Sequence, residues 1–379
     1  MNGRQIQEIL AKNSYFNKFF YSHWKSSETK RSLQFLRELE KDDSIKDVSL
    51  LRQIRSLMSD ANTYKVRDIN LANSLNYGIK QAVFGNEQNS IPSIEHGLIL
   101  YSNVFEDISL TAPISCATMG PFRKEIIQSY RRRPVFIVGP YIQYAKSFYT
   151  KNTIDLTKKQ NGKTLLVFPS HSTEKTGVSY DEKNYLSTVH KISSRFSTVL
   201  VCSYWWNLND PLIKRFESEG YKIVSAGIRD DISFIKRLKT IITLADFAIG
   251  DSVGTHVGYC FSLGTPFSLI DANTAHTTST HGLSNRADRI NEIKSALQTK
   301  NQETILRMLK KYWGHGIYRT QEDREIMCDI ESDIKKLSLG FPYRANSCCS
   351  KLYNTYLKKG LLAHANILLD ALPFSELQE

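Results

Sequence analysis

The sequence predicts an α/β protein built from two open parallel-sheet units, with a helical preface and a helical tail. Three observations carry this reading. Short apolar runs ending at Gly, Ser, Pro or Asn alternate with helical patterns across the middle of the chain, the signature of β-α-β units. The last of these runs are apolar nearly throughout, as expected where helices cover both faces of a sheet. Residues 1–82 and 288–379 instead show helical periodicity without strand-like runs. A chain of 379 residues is long enough for two domains at roughly 150 residues each.

Taken in order, residues 1–82 are polar, basic and free of proline, with helical spacing at Ser32–Leu39 and Val48–Met58. Strands are expected at Ile94–Tyr101, Pro134–Gly139, Thr164–Pro169, Thr198–Ser203, Tyr221–Ala226, Asp246–Ile249 and Pro266–Ile270. Helices are expected between the later strands, at Tyr180–Phe196, Pro211–Glu219, Asp230–Leu244 and Val253–Leu263. The polar stretch Thr150–Lys163 reads as a boundary, and Gly340-Phe-Pro342 as a break between late helices. The expected division is therefore an N-terminal α/β domain over 1–160, a second over 161–290 and a helical tail over 291–379. Two such units place a ligand cleft at the carboxyl ends of their sheets.

Composition removes several classes. Apolar residues make up 41% and charged residues 23%, which excludes bulk disorder. No run approaches 18 consecutive apolar residues, so no transmembrane helix is expected. The first 20 residues lack the small-residue cleavage site of a secretory signal. The six cysteines, Cys116, Cys202, Cys260, Cys328, Cys348 and Cys349, form no C-x-x-C pair and read as reduced packing residues. No metal site is expected. The formal charge is +12, of which +8 falls in residues 1–160. A basic face suits phosphate on nucleic acid, an anionic membrane or a charged substrate. No helix-turn-helix, RNA-recognition or zinc pattern accompanies the charge, so nucleic acid is not an expected partner.

Residues 221–270 are the most informative stretch. They read as strand, turn at Gly227 and Arg229, helix opened by Asp230, strand, turn, and a helix entered through Ser252, Gly254 and Thr255. Asp230 suits an N-cap. The small residues at 252–255 leave backbone N–H groups to meet an anion, which helix N-termini bind. Gly250-Asp-Ser252-Val-Gly254 also matches G-x-S-x-G, with Asp271 and then His276 or His281 in the chain order of a serine hydrolase. A second cluster, Ser170, His171 and Ser172, follows the strand at 164–169 and can donate several hydrogen bonds to phosphate. Gly162-Lys-Thr164 is not a P-loop, because position 157 is Thr and the motif precedes the strand. Glu95 and His96, followed by Gly97, are candidate proton acceptors in the first half. Tyr141 and Tyr144 suggest an aromatic lip, Tyr204-Trp205-Trp206 a stacking surface, and Arg131-Arg132-Arg133 a solvated basic cap. The sequence contains no D-x-D, the pair that commonly holds a divalent cation on nucleotide pyrophosphate.

These stretches resemble bacterial GT-B glycosyltransferases of capsule and lipopolysaccharide assembly. The resemblance lies in Ala226-Gly-Ile-Arg-Asp-Asp, in Asp251-Ser-Val-Gly-Thr-His-Val-Gly-Tyr259 with Leu263-Gly-Thr-Pro266, in Pro169-Ser-His-Ser172 and in Glu95-His-Gly97. It covers roughly residues 90–275. It implies two facing Rossmann-like domains, with acceptor on the first and nucleotide-activated donor on the second. Ser252, Gly254 and Thr255 would hold donor phosphate, and Ser170, His171 and Ser172 phosphate or sugar. Gly227, Arg229 and Asp230 would lie near base and ribose, and His96 or Glu95 would be the general base. No E-x-x-x-x-x-x-E occurs at the helix starts, so inversion is the expected stereochemistry. Thr265 stands where such enzymes often have Lys. No metal or other cofactor is expected. The expected partners are a nucleotide-sugar donor, a lipid-linked or oligosaccharide acceptor and an anionic membrane surface, giving a cytoplasmic protein peripheral to the inner leaflet. The alternatives are a CDP-alditol glycerophosphotransferase of teichoic-acid type and a serine hydrolase using Ser252.

Overall fold

The computed structural model describes residues 48, 51–52, 75–85, 90–104, 113–130, 133–171, 176–278, 286–299, 301–338 and 345–373. The expected helices of the preface lie almost wholly outside this set, as do Arg131, Arg132 and Ser172. The described residues fall into two compact units. The first lies within Val66–Tyr141 and Leu306–Glu379, the second within Leu36–Lys65 and Ile142–Ile305.

The first unit opens with α1 (Ile79–Phe84), β1 (Ser93–Ile94), β2 (Cys116–Thr118), α2 (Pro121–Tyr130) and β3 (Val135–Ile137). The three strands pair in parallel in that order, with Ile94 opposite Ala117 and Ala117 opposite Phe136. Cys116, Ile127 and Val135 form a buried cluster against which Val104 packs. The strand expected at Ile94–Tyr101 ends at Ile94, because Glu95 turns inward to a buried partner and Gly97 adopts φ +152°. β2 was not anticipated, since three small residues carry no alternation to read. Two surface readings are corrected as well. Tyr141 is buried rather than a lip, and Arg133 is buried with Nη1 reaching the Ile114 carbonyl at 3.4 Å.

The second unit runs α3 (Lys151–Asn161), β4 (Thr164–Phe168), β5 (Thr176–Ser179), α4 (Glu182–Ser193), β6 (Thr198–Cys202), α5 (Pro211–Ser218), β7 (Lys222–Val224), α6 (Phe234–Thr243), β8 (Phe247–Gly250), α7 (Thr255–Ser262), β9 (Phe267–Leu269), β10 (Ala275–Thr278) and α8 (Arg286–Gln298). The stretch read as a boundary contains α3. Thr150 Oγ1 caps it by accepting the Thr153 N–H at 3.2 Å, and Ile154, Thr157 and Asn161 turn inward. Its polar composition belongs to the exposed face of an amphipathic helix. The sheet order is β7-β6-β4-β8-β9, parallel throughout. β5 and β10 form a separate antiparallel ribbon. The α/β class with two Rossmann-like units is therefore the observed architecture.

The chain then returns to the first unit through α9 (Gln302–Trp313), α10 (Gln321–Leu337), α11 (Ala345–Lys358) and α12 (Leu362–Ala371). A capping box between Thr320 and Asp323 starts α10. From its buried face Glu331 accepts the Ile114 N–H at 2.9 Å, the Ser115 N–H at 2.7 Å and the Ser115 hydroxyl at 2.5 Å. One carboxylate thus fixes the late helices to the entry of β2. All six cysteines are buried and unbridged. Among the described residues no helix is long and apolar enough to cross a membrane.

Candidate functional site

In the second unit β4 occupies the centre of the sheet. The chain first moves outward through β6 to β7, then crosses to the opposite side for β8 and β9. The loops leaving β4 and β8 therefore part at the strand-order reversal, where open α/β sheets bind ligands beyond their carboxyl ends. Pro169, Ser170 and His171 follow β4, and Asp251, Ser252, Val253 and Gly254 follow β8.

Asp251 ties these loops together. Its Oδ1 accepts the Ser170 N–H at 2.8 Å and the Tyr185 hydroxyl at 3.0 Å. The Tyr180 hydroxyl donates to the Ser170 carbonyl. Burial, reinforced by the Asp251 charge, pushes the Tyr185 phenol well above its usual pKa, so it remains a donor. Ser170 is only 5% exposed. Among the described residues its Oγ has no hydrogen-bond partner, nor do Oδ2 of Asp251 and Nε2 of His256. Buried polar atoms are seldom left so, and each calls for an explanation.

The His256 ring stacks on Phe168 at 4.7 Å between centroids and meets Phe267 edge-on at 5.5 Å. It folds back over the loop so closely that a Cβ on Gly254 would lie 2.9 Å from its Nδ1. This approach accounts for glycine at 254 better than any backbone preference, because its φ of −151° is ordinary extended chain. Burial lowers the His256 pKa to about 4, with the Asp251 charge and a hydrogen bond to the Ser252 backbone opposing the shift. The ring is therefore neutral near pH 7. In the unfolded chain it titrates near 6.5, so stability is full above that pH and falls as pH drops toward 4. The expected loss from this ring is about 3 kcal/mol. Urea denaturation at pH 7 and pH 4 measures it, and His256→Phe is expected to flatten the difference.

The residues singled out in the sequence divide clearly. Gly254 is the N-cap of α7 and Thr255 its first residue, and no side chain caps the helix. Ser252 therefore lies in the loop ahead of the helix. Ser170 is at the switch point, and His171 is exposed beside it with its ring 4.9 Å from that of Tyr204. Ser172 lies outside the described residues. Gly227 and Asp230 are buried in the loop after β7, with Arg229 half-buried. Asp230 is not the cap of the following helix. Asp231 takes that turn, accepting the Ser233 N–H at 2.8 Å and pairing with buried Arg237, and α6 starts only at Phe234. Ser252 also lacks the strained turn of a hydrolase nucleophile. The non-glycine residues with positive φ among those described are Tyr77 and Asn273.

In the first unit Glu95 and His96 follow β1. Glu95 is fully buried, and Arg123, 2% exposed, grips it. Arg123 Nη2 donates to Oε1 at 2.6 Å, its Nε lies 3.0 Å from Oε2, and the Thr118 hydroxyl donates to Oε2 at 3.0 Å. The same guanidinium donates to the carbonyls of Tyr101 at 2.6 Å and Asn103 at 3.1 Å. Glu95 is thus occupied as an anchor for its loop, which corrects its reading as a free proton acceptor. His96 is half-buried, 6.3 Å between ring centroids from Tyr77.

Sequence reasoning passed over Asp251, His256 and Tyr185. Asp251 and His256 stood inside the stretch that carried the resemblance, but they bracket the small residues that drew attention. Tyr185 lies in the first turn of α4 and has no local signal. Among the described residues no group of three or more His, Cys, Asp or Glu is placed to hold a metal ion.

No family model matches the chain, and no curated protein matches it. Among solved structures it is similar to the wall teichoic acid polymerase TagF, at 12% identity and a TM-score of 0.34 over 59% of this chain. The chain spans 58% of the length of that polymerase chain. It is similar to S. aureus MnaA in a structure with UDP, at 12% identity and a TM-score of 0.36 over 81% of this chain and 82% of the other. A UDP-GlcNAc 2-epimerase from Neisseria meningitidis bound to UDP-GlcNAc gives 13% identity and 0.30 over 56% and 60%. At these values the similarity assigns no activity.

Proposed function

We propose that the chain is a glycosyltransferase moving a sugar from a nucleotide donor to a surface-polysaccharide acceptor, by inverting displacement and without a metal ion. One observation carries the reading. At the switch point of a parallel sheet, the uncapped N-terminus of α7 stands with a buried hydroxyl, Ser170 Oγ, that has no partner among the described residues. The helix dipole and a hydroxyl donor suit a phosphoryl oxygen of the donor. His171, exposed after β4, and Arg229, half-buried after β7, supply further cationic or donor groups at the carboxyl end of the same sheet. His96 serves as general base on the acceptor, since Glu95 beside it is engaged by Arg123. The basic excess of residues 1–160 fits an acceptor presented at an anionic membrane.

Thermal-shift screening with UDP, GDP, CMP and CDP tests the central claim, and no stabilisation by any of them would refute it. His96→Ala is expected to lower turnover about 100-fold, the lower range for removing a general base, with nucleotide affinity retained. Chelator treatment is expected to leave activity unchanged. The second reading, a CDP-alditol glycerophosphotransferase, draws on the placement of one accessible histidine after the first strand of each sheet, His96 and His171. Stabilisation by CMP and CDP alone, with CMP as the released product, would favour it.

A further inference from the structure

The unpartnered atoms at the switch point are not alike, and their chemistry narrows what they bind. Asp251 Oδ2 is a carboxylate oxygen whose twin already accepts two hydrogen bonds, from the Ser170 N–H and the Tyr185 hydroxyl. It can only accept. His256 bonds the Ser252 backbone in the sense that raises its pKa, so the proton is on Nδ1 and donated, while Nε2 has no partner among the described residues. A neutral ring with Nδ1 protonated presents Nε2 as a bare acceptor. That atom lies beside the chain just before Asp251, since a Cβ on Gly250 would be 3.2 Å from it. The loop floor thus offers acceptors, whereas the start of α7 offers donors. A phosphate has only acceptor oxygens when ionised and would meet a carboxylate, which repels it.

We propose that Asp251 Oδ2 and His256 Nε2 accept hydrogen bonds from hydroxyls of the group that the donor phosphate carries, so this floor is the subsite for a polyhydroxylated glycosyl or alditol moiety. This deepens the donor reading above and rests on it. Phosphate then sits against Thr255 and Ser170, and the hydroxylated group against the Asp251–His256 floor. Neither atom takes part in bond making; both select the transferred group.

Asp251→Asn is the informative variant. The side chain keeps its shape and its Oδ1 acceptor for Ser170 and Tyr185, while an NH₂ donor replaces the Oδ2 acceptor. Calorimetric titration of both proteins would use UDP against UDP-glucose and UDP-N-acetylglucosamine, and CDP against CDP-glycerol. In the wild type, one hydroxylated donor is expected to bind at least about tenfold tighter than its bare nucleotide, the scale of a hydrogen bond to a charged group. In Asp251→Asn that gap is expected to close to within about twofold. The glycosyl and alditol arms separate the two sources of hydroxyls. His256→Phe keeps the ring stacking, removes Nε2, and is expected to narrow the gap independently. Wild-type protein that binds bare nucleotide as tightly as every hydroxylated donor would overturn the subsite and leave the donor reading standing. Tighter binding of bare UDP or CDP by Asp251→Asn would place phosphate on the floor and overturn it too. No binding of any nucleotide to the wild type would overturn both.

Discussion

Arg123→Met is expected to destabilise the first unit by about 3–5 kcal/mol, the usual cost of leaving one member of a buried ion pair without its partner. The side chain is of similar length and can fill the space, so the loss is electrostatic before it is steric. What remains is the Glu95 carboxylate, fully buried, with the Thr118 hydroxyl as its one side-chain donor among the described residues. Two further bonds disappear with the guanidinium, those to the carbonyls of Tyr101 and Asn103. Three points along the loop after β1 are therefore released together. Chemical denaturation of the intact chain measures the effect. Pairing the change with Glu95→Leu tests its origin, because removing both charges should recover much of the loss. The experiment also separates two roles for Glu95. A catalytic carboxylate would cost turnover when changed to Gln while leaving stability intact. An anchor would cost stability first, and its effect on turnover would follow the displacement of His96.

The fold was legible where local signals agree with tertiary environment. β4, β6, β7 and β9 each fall inside an apolar run read from the sequence and β8 passes its run by one residue, because the inner strands of a parallel sheet are apolar on both faces. α4, α5, α6 and α7 lie within the predicted helices and are shorter by one to a few residues at their ends. Asp230 shows why ends are harder: Asp231 pairs with buried Arg237 in the turn, and the helix starts only after Ser233. The first unit was less legible. β1 and β2 are two and three residues long, too short for a periodicity, and they are held by contacts distant in sequence such as Glu331 with Ser115. The site followed the same division. Ser170, Gly254 and Thr255 were readable because small residues after a strand mark a helix entrance. The acceptor character of Asp251 and His256 was not, since it depends on which of their atoms other residues have already taken.

Gly314→Ala is expected to destabilise the first unit severely. Gly314 follows α9 with φ +64°, a left-handed conformation that disfavours a side chain. A Cβ there would lie 2.1 Å from the Met119 carbonyl oxygen and 3.1 Å from the Gly139 Cα. Both neighbours are backbone at the carboxyl ends of β2 and β3, so no rotamer change relieves the contact. Gly120 shows the same closeness from the other side, its Cβ position lying 2.8 Å from the Lys311 carbonyl. The end of α9 and the loop after β2 therefore meet backbone to backbone, and only glycine on both sides permits it. Forcing them apart must shift Met119 or withdraw α9, whose Trp313 is fully buried in the core. Losses beyond about 4 kcal/mol are rare and come from such steric or strained positions. Loss of cooperative thermal unfolding, or failure to recover folded protein, is the expected outcome. A melting temperature within a few degrees of wild type would show that α9 can separate from this sheet without consequence. The same loop leads from β2 into α2, which carries Arg123, so the methyl at 314 reaches the His96 loop through the backbone that places its anchor. Partially folded material should accordingly lose turnover before it loses nucleotide binding, because the switch-point residues Ser170, Asp251 and His256 belong to the other unit.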